Sequence, residues 1–316
     1  MEITPSVKSG LVWLYGILLS IIVVLKILKF KNKNVDNLFT RACSFFWLVV
    51  FFTVAFIVNL PIAFGAIALL SYLALKEYFS MIPTRRADRR VLFWAYLSIP
   101  VQFYIIYLHW ATMFYLFVPL YVFLIVSVRM VTLGETEGFL KSLATIQYGL
   151  MTAVYSFGYL AMFFTIPAGY NPRGGNIGLI FFILLATVFN DFAQMMCGKM
   201  FGKHKITPKV SPNKTWEGFL GGVIISTLFA IIAAPPLTSL SIKISAFVGF
   251  FLGIVGFLGD ITMSAVKRDM QIKDTSHLIP GHGGILDRFD SLIFTAPLFF
   301  HFFVFINGIT ITRVFQ

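Results

Sequence analysis

Runs of about 20 nearly uninterrupted apolar residues recur from one end of this chain to the other, and no other feature restricts the fold as much. A helix rises about 1.5 Å per residue, so about 20 residues cover the roughly 30 Å of a bilayer's hydrocarbon core. Apolar windows and their polar breaks predict ten helices, at 11–28, 42–59, 61–79, 91–108, 110–128, 148–166, 177–197, 218–235, 244–263 and 291–308. No soluble domain of useful size fits between them. Composition agrees, since 58% of the 316 residues are hydrophobic and only 12% are charged, against roughly 25% charged in soluble domains. The expected fold class is an all-α, polytopic integral membrane protein with about ten transmembrane helices.

The apolar run Leu11–Leu25 has neither a strongly basic flank nor a small-residue cleavage site, so it is expected to stay as a membrane anchor. Cys43 and Cys197 each lie inside an apolar run, which speaks against a disulfide framework or a thiolate metal site.

A net charge of +12 could point to nucleic acid. The basic residues, however, sit in short loops and carry no nucleic-acid-binding motif, so no such partner is expected. Of the 25 Lys and Arg residues, 21 fall in alternate loops, at 26–41, 76–90, 129–147, 198–217 and 264–290. Lys8, Arg173, Lys243 and Arg313 lie on the other side. By the positive-inside rule the rich loops are cytoplasmic and both termini face out.

Acidic residues are scarce, so their placement is informative. Seven of the 13 fall between residues 191 and 290: Asp191, Glu217, Asp260, Asp269, Asp274, Asp287 and Asp290. Each lies at the end of a predicted span or in one of two cytoplasmic loops. A carboxylate at membrane depth costs about 2.5–3.5 kcal/mol, so it marks function unless it is paired. The N-terminal half shows no such polar constellation. The chain is therefore read as two parts, an N-terminal scaffold of helices over 1–147 and a C-terminal catalytic region over 148–316, with its informative motifs at 190–290.

Asp260 closes the run Gly256-Phe257-Leu258-Gly259-Asp260, and on a continuing helix Ser264 and Lys267 share its face. A purely structural Asp260 would pair with Lys267 or Arg268. Gly249, Gly253 and Gly256 suit close helix packing. Lys267-Arg268, Lys273-Asp274, Pro280-Gly281-His282-Gly283-Gly284 and Asp287-Arg288-Phe289-Asp290 follow. Carboxylates three apart, with open space before them, suit a hard cation such as Mg²⁺. Gly283 and Gly284 would let backbone N–H groups approach an anion. His282 suits a structural hydrogen bond as well as a substrate contact, and Asp274 and Arg288 suit one another as an ion pair.

The preceding loop holds Lys199, Lys203 and Lys205, which a positive-inside loop explains. It then runs Ser211-Pro212-Asn213-Lys214-Thr215-Trp216-Glu217-Gly218 into a helix. Trp216 and Glu217 serve no orientation purpose, and Lys214 beside a helix N-terminus suits a triphosphate.

At these residues the chain resembles the phosphatidate cytidylyltransferases, also called CDP-diglyceride synthases. The family's signature runs from a Ser through Lys-Arg, Lys-Asp and His-Gly-Gly to Asp-Arg-x-Asp, and each fixed position has its counterpart between Ser264 and Asp290. Ser211 to Gly218 resembles a second block, with Asn213 where Lys is common. Asn190-Asp191 and Gly202-Lys203 resemble a third, with Gln194-Met195 where many members have Ala-Tyr.

The resemblance implies an enzyme that joins CTP to phosphatidate, releasing pyrophosphate and leaving CDP-diacylglycerol in the bilayer. It implies Mg²⁺, often with a monovalent cation such as K⁺, a homodimer, and a bacterial inner (plasma) membrane with the site on the cytoplasmic face. Carried over residue by residue, it puts Asp260, Asp287 and Asp290 on the metal, with Asp191 as a further acid. Lys267, Arg268 and Lys273 would hold phosphates, joined in the catalytic group by Asp274, His282 and Arg288. Ser211, Asn213, Lys214, Trp216, Glu217, Ser264, Gly283 and Gly284 would bind substrate. A transferase acting on another lipid phosphate shares these features. A transporter also places carboxylates within helices, but it has no need of Lys-Arg, Lys-Asp and His-Gly-Gly in one loop.

Overall fold

The computed structural model describes residues 3–31, 35–83, 89–276 and 283–309. Among them, eight helical segments are long and apolar enough to cross a membrane. These are α1 (Pro5–Phe30), most of α2 (Asp36–Val58), α3 (Leu60–Met81), α4 (Arg89–Tyr107), a composite of α5 (Ala111–Leu116), a π-helical turn (Phe117–Val122) and α6 (Phe123–Val131), and then α9 (Gly175–Phe201), α10 (Trp216–Thr238) and α11 (Ile242–Asp269). Between the composite and α9 run α7 (Phe139–Leu150), a second π-helical turn (Met151–Tyr155) and α8 (Ser156–Met162). The short α12 (Ile285–Phe289) and α13 (Leu292–Ile306) follow α11. The protein is an all-α polytopic membrane protein.

Eight of the ten expected spans thus meet the length and hydropathy of a crossing helix, and the other two are helical in a different form. The expected 148–166 span is part of a helical path over 139–165 whose middle is π-helical. Every residue of α8 is buried, so the C-terminal part of this path is surrounded by protein, whereas α7 buries only one face. The buried part can therefore carry Thr152, Ser156 and Tyr159, each hydrogen-bonded within the protein. The expected 291–308 span is the 15-residue α13, about 22 Å long at 1.5 Å per residue. A break at Asp290 and Ser291 separates it from α12.

The helices differ in how much they bury. In the most apolar windows of α1 and the second span, only 11% and 22% of residues are buried, against 61% in α9. The first two helices stand at the periphery, and α9 lies inside. Glycines bring α9, α10 and α11 into backbone contact, as expected of Gly249, Gly253 and Gly256. A Cβ at Gly249 would lie 2.7 Å from Thr227 Cα, one at Gly253 3.0 Å from Val223 Cα, and one at Gly256 2.8 Å from Asn190 Nδ2. Both cysteines are free.

The loop before α10 is not irregular throughout. It forms an antiparallel hairpin of β1 (Lys205–Thr207) and β2 (Ser211–Thr215), with Lys205 opposite Thr215 and Thr207 opposite Ser211. This hairpin delivers Lys214 to the site.

Candidate active site

Thr215 ends β2 and caps α10, its hydroxyl accepting from Gly218 N at 3.1 Å, which fixes the direction of the residue before it. Lys214 Nζ consequently donates to Asp260 Oδ2 of α11 and to Gln194 Oε1 of α9 at 3.4 Å. Ser264 Oγ donates to Asp260 Oδ1 at 3.3 Å, one helical turn on. The Asp260–Ser264 face forms as expected, but the cation on Asp260 is Lys214. Lys267 turns elsewhere.

Two residues expected at substrate hold this hairpin. Glu217 accepts from Lys203 N at 3.0 Å and His204 N at 3.2 Å, and lies 2.6 Å from His204 Nδ1. Arg268 Nε donates to Val210 O at 3.1 Å, with Nη1 on Ile272 O at 3.2 Å. In the described arrangement their hydrogen bonds serve the chain itself. Ser211 is partly exposed on the hairpin, Asn213 is exposed, and the Trp216 ring is 50% exposed beside Lys214.

Asp191 from α9 and Asp290 meet at Ser291. The Ser291 hydroxyl donates to Asp191 Oδ1 at 2.9 Å, and the Ser291 N–H donates to Asp290 Oδ1 at 2.8 Å. Helix α11 lies flush against this turn, because a Cβ at Gly259 would stand 2.9 Å from Asp290 O. Asp191, Asp260 and Asp290 act on one another electrostatically, and Lys214 acts on all three, with Arg288 also acting on Asp191 and Lys267 on Asp290. Burial disfavours charge on Lys214, but Asp260, then Asp191 and Asp290, outweigh it and raise the ammonium's pKa above its ordinary value. Three acids are thus crowded together among three cations that reach them from different elements.

Carboxylate oxygens are the donors a hard cation takes. Among the described residues, however, no three His, Cys, Asp or Glu side chains converge closely enough to hold one. The expected set of Asp191, Asp260, Asp287 and Asp290 is therefore not a closed protein cage. The donor chemistry still fits Mg²⁺, which uses one or two carboxylates and leaves its other positions to water and substrate phosphates.

Asp287 lies in a different environment. Its Oδ1 accepts from Lys267 Nζ at 2.8 Å, and its Oδ2 accepts from Thr275 N at 2.8 Å, Thr275 Oγ1 at 2.9 Å and Gly284 N at 3.1 Å. Burial alone would raise this carboxyl's pKa, but Lys267 and the two backbone donors outweigh it and hold it below the usual range. The open space expected in front of Asp287 is filled by these donors. The Gly284 N–H, expected on a substrate anion, is given to Asp287, while Gly283 supplies a left-handed turn with φ of 83°. Lys273, Asp274 and Arg288 are exposed, and among the described residues Asp274 and Arg288 form no ion pair with each other. His282 lies outside the described residues.

Sequence reasoning missed Gln194, Ser291, Thr275 and, most of all, Glu77. From the N-terminal α3, Glu77 accepts hydrogen bonds from Thr275, Ser276, Ile285 and Leu286. The N-terminal half therefore does carry a polar group of this site. Its signal was a single acid near the end of an otherwise apolar run.

A membrane protein that gathers lysines and carboxylates where its C-terminal helices meet is equipped for anionic, phosphorylated substrates at a bilayer surface. The sequence pattern of the cytidylyltransferase family matches residues 39–306, and the chain belongs to that family. It is a nucleotidyltransferase. A protein of Escherichia coli strain K12 named "Uncharacterized protein YnbB" is 43% identical over 235 residues, covering 74% of this chain and 76% of that one. The phosphatidate cytidylyltransferase of Mycobacterium leprae is 40% identical over 125 residues, or 40% of each chain. That of Bacillus subtilis strain 168 is 40% identical over 125 residues, or 38% of this chain and 45% of its own. The chain thus matches less than half the length of these two named enzymes.

Proposed function

We propose that the protein transfers CMP from CTP to phosphatidate, giving CDP-diacylglycerol and pyrophosphate, at the cytoplasmic face of a bacterial inner membrane. The observation that carries this reading is the Lys214–Asp260 pair beside Asp191 and Asp290, within the residues that match the cytidylyltransferase family, in a chain similar to two enzymes named phosphatidate cytidylyltransferase. The charge asymmetry of the loops supports the cytoplasmic side, where CTP is found.

A phosphatidate oxygen forms the new bond to the α-phosphorus of CTP, and the bond from that phosphorus to the bridging oxygen breaks, releasing pyrophosphate. A phosphate monoester has a second pKa of about 6, so the nucleophile is already largely dianionic and needs no strong base. The barrier is mainly repulsion between anions, which cations in fixed positions relieve. Lys214 and Lys267 are now held by carboxylates. On binding, they turn to phosphate oxygens, and Asp260 Oδ2 and Asp287 Oδ1 are released. Asp260 and Asp290, with Asp191 nearby and Asp287 once Lys267 has left it, would then hold Mg²⁺. That ion, when bound, supplies charge neutralisation and alignment of the phosphates. Asn213 on the hairpin and Trp216 at the start of α10, both exposed, would meet the nucleotide.

Purified protein incubated with cytosine-labelled CTP, Mg²⁺ and phosphatidate should move label into the lipid extract, with one pyrophosphate released per label transferred. Parallel arms use an ether-linked lipid phosphate and an isoprenoid phosphate. Transfer in either of those arms but not to phosphatidate would replace the substrate. Transfer in none would overturn the proposed reaction.

A further inference from the structure

We propose that Glu77 is a positioning residue for this reaction. From α3 it fixes the first turn of α12, and so sets where Asp287 and Asp290 stand relative to Lys267 and Asp260. Its importance for turnover rests on the proposed function, whereas the clamp it forms does not.

Glu77 is only 6% exposed and sits near the end of a membrane span, where an unsatisfied carboxylate is costly. Both of its oxygens are supplied. Oε1 accepts from Ser276 Oγ at 2.6 Å and Ile285 N at 2.9 Å, and Oε2 accepts from Thr275 Oγ1 at 3.1 Å and Leu286 N at 2.9 Å. All four donors lie about 200 residues further along the chain. They come from either side of residues 277–282, which are outside the described residues.

The first N–H groups of any helix lack partners within it. Helix α12 has five residues, far fewer than a helix needs to persist by itself, so its place depends on what holds its ends. Glu77 takes the N–H groups of its first two residues, and Asp287 takes that of Gly284 just before it. The Thr275 hydroxyl lies between the two carboxylates, 3.1 Å from Glu77 Oε2 and 2.9 Å from Asp287 Oδ2. Its one proton is shared between them and serves one carboxylate at a time, so the two compete for the same donor. Gly284 completes the fit, because a Cβ there would collide with Thr275 Oγ1 and Glu77 Oε2. The second glycine of the His-Gly-Gly sequence is thus required by close approach to a carboxylate of the protein itself. Two residues after α12's own Lys267-bound Asp287 comes Phe289, and then Asp290 at the turn that Ser291 shares with Asp191. A shift in α12 therefore moves both acids together.

The test is hydrogen exchange by mass spectrometry on the detergent-purified full chain, alongside steady-state kinetics, for Glu77→Gln, Glu77→Asp and Gly284→Ala. In Glu77→Gln an amide NH₂ replaces one acceptor oxygen and, whichever way it turns, faces a backbone N–H of α12 that can only donate. Exchange in the 283–289 peptide should rise about tenfold, with α9 and α11 unchanged. kcat should fall about tenfold or more, while KM for CTP changes by less than about threefold. Glu77→Asp should recover part of both effects, and Gly284→Ala should reproduce the local signature from the other side of the contact.

Wild-type exchange over 283–289 in Glu77→Gln would remove the clamp. Protection lost equally across α9 and α11 would make Glu77 a support of the whole bundle. Faster local exchange with unchanged kcat would show that the reaction does not depend on where α12 stands. If Glu77→Gln does not insert, the same outcomes are read from the other two variants. Absence of turnover in the wild type would count against the reaction and leave the exchange result to decide the clamp.

Discussion

Two lysine–aspartate pairs stand at this site, and they are built differently. Asp260, with a side chain 20% exposed, receives donors, among the described residues, only from the side chains of Lys214 and Ser264, and two further carboxylates act on it. Asp287, 5% exposed, receives Lys267 together with a hydroxyl and two backbone N–H groups. Fixed backbone donors cannot turn to a ligand, whereas a lysine on a flexible stem can. The Asp260 pair is thus built to exchange its cation. The Asp287 pair combines one exchangeable contact with three that hold the chain together, so the two aspartates should fail in different ways when altered.

The largest effect is expected from Asp260→Asn. Loss of a carboxylate that neutralises charge through a cation should lower kcat on the order of a thousandfold, about 4 kcal/mol. Thermal unfolding in detergent should remain close to wild type, because no backbone group loses its partner. Asp287→Asn should also lose activity, but it should lose stability too, by about 3 kcal/mol, since its amide NH₂ would face the buried N–H groups of Thr275 and Gly284 and leave a backbone donor unpaired. Equal stability of the two variants would erase the distinction between the pairs.

Lys214→Ala should act more mildly and more selectively. It removes the ammonium proposed to meet the nucleotide, so KM for CTP should rise about tenfold while that for phosphatidate moves by less than about threefold. A rise confined to phosphatidate, with CTP binding unchanged by calorimetry, would move the hairpin to the lipid side of the site.

How much of this could be read beforehand depended on whether the relevant contact was local in sequence. Spans such as 177–197 and 244–263 were legible because each apolar run dictates its own helix. The Asp260–Ser264 contact was legible because it lies one helical turn apart. Cross-helix partners were not. Lys267 was assigned to Asp260's face by periodicity, yet it reaches Asp287, 20 residues on, while Asp260 takes Lys214, 46 residues before it. Spacing along one helix says nothing about which neighbour packs against it. Glu77 was hidden for the same reason, with partners about 200 residues away. The expected 148–166 helix is present, but its π-helical turn at Met151–Tyr155 and the burial of α8 were not readable from an apolar run.

The central claim is that Asp260 gives up Lys214 and takes a divalent cation when the nucleotide arrives. Its most direct test is Mn²⁺, standing in for Mg²⁺, followed by electron paramagnetic resonance on the purified protein with CTP and without lipid substrate. Wild type should bind Mn²⁺·CTP, and Asp260→Asn should bind it about tenfold more weakly or worse while remaining folded. An Asp260→Asn protein that binds Mn²⁺·CTP as tightly as wild type would contradict the account.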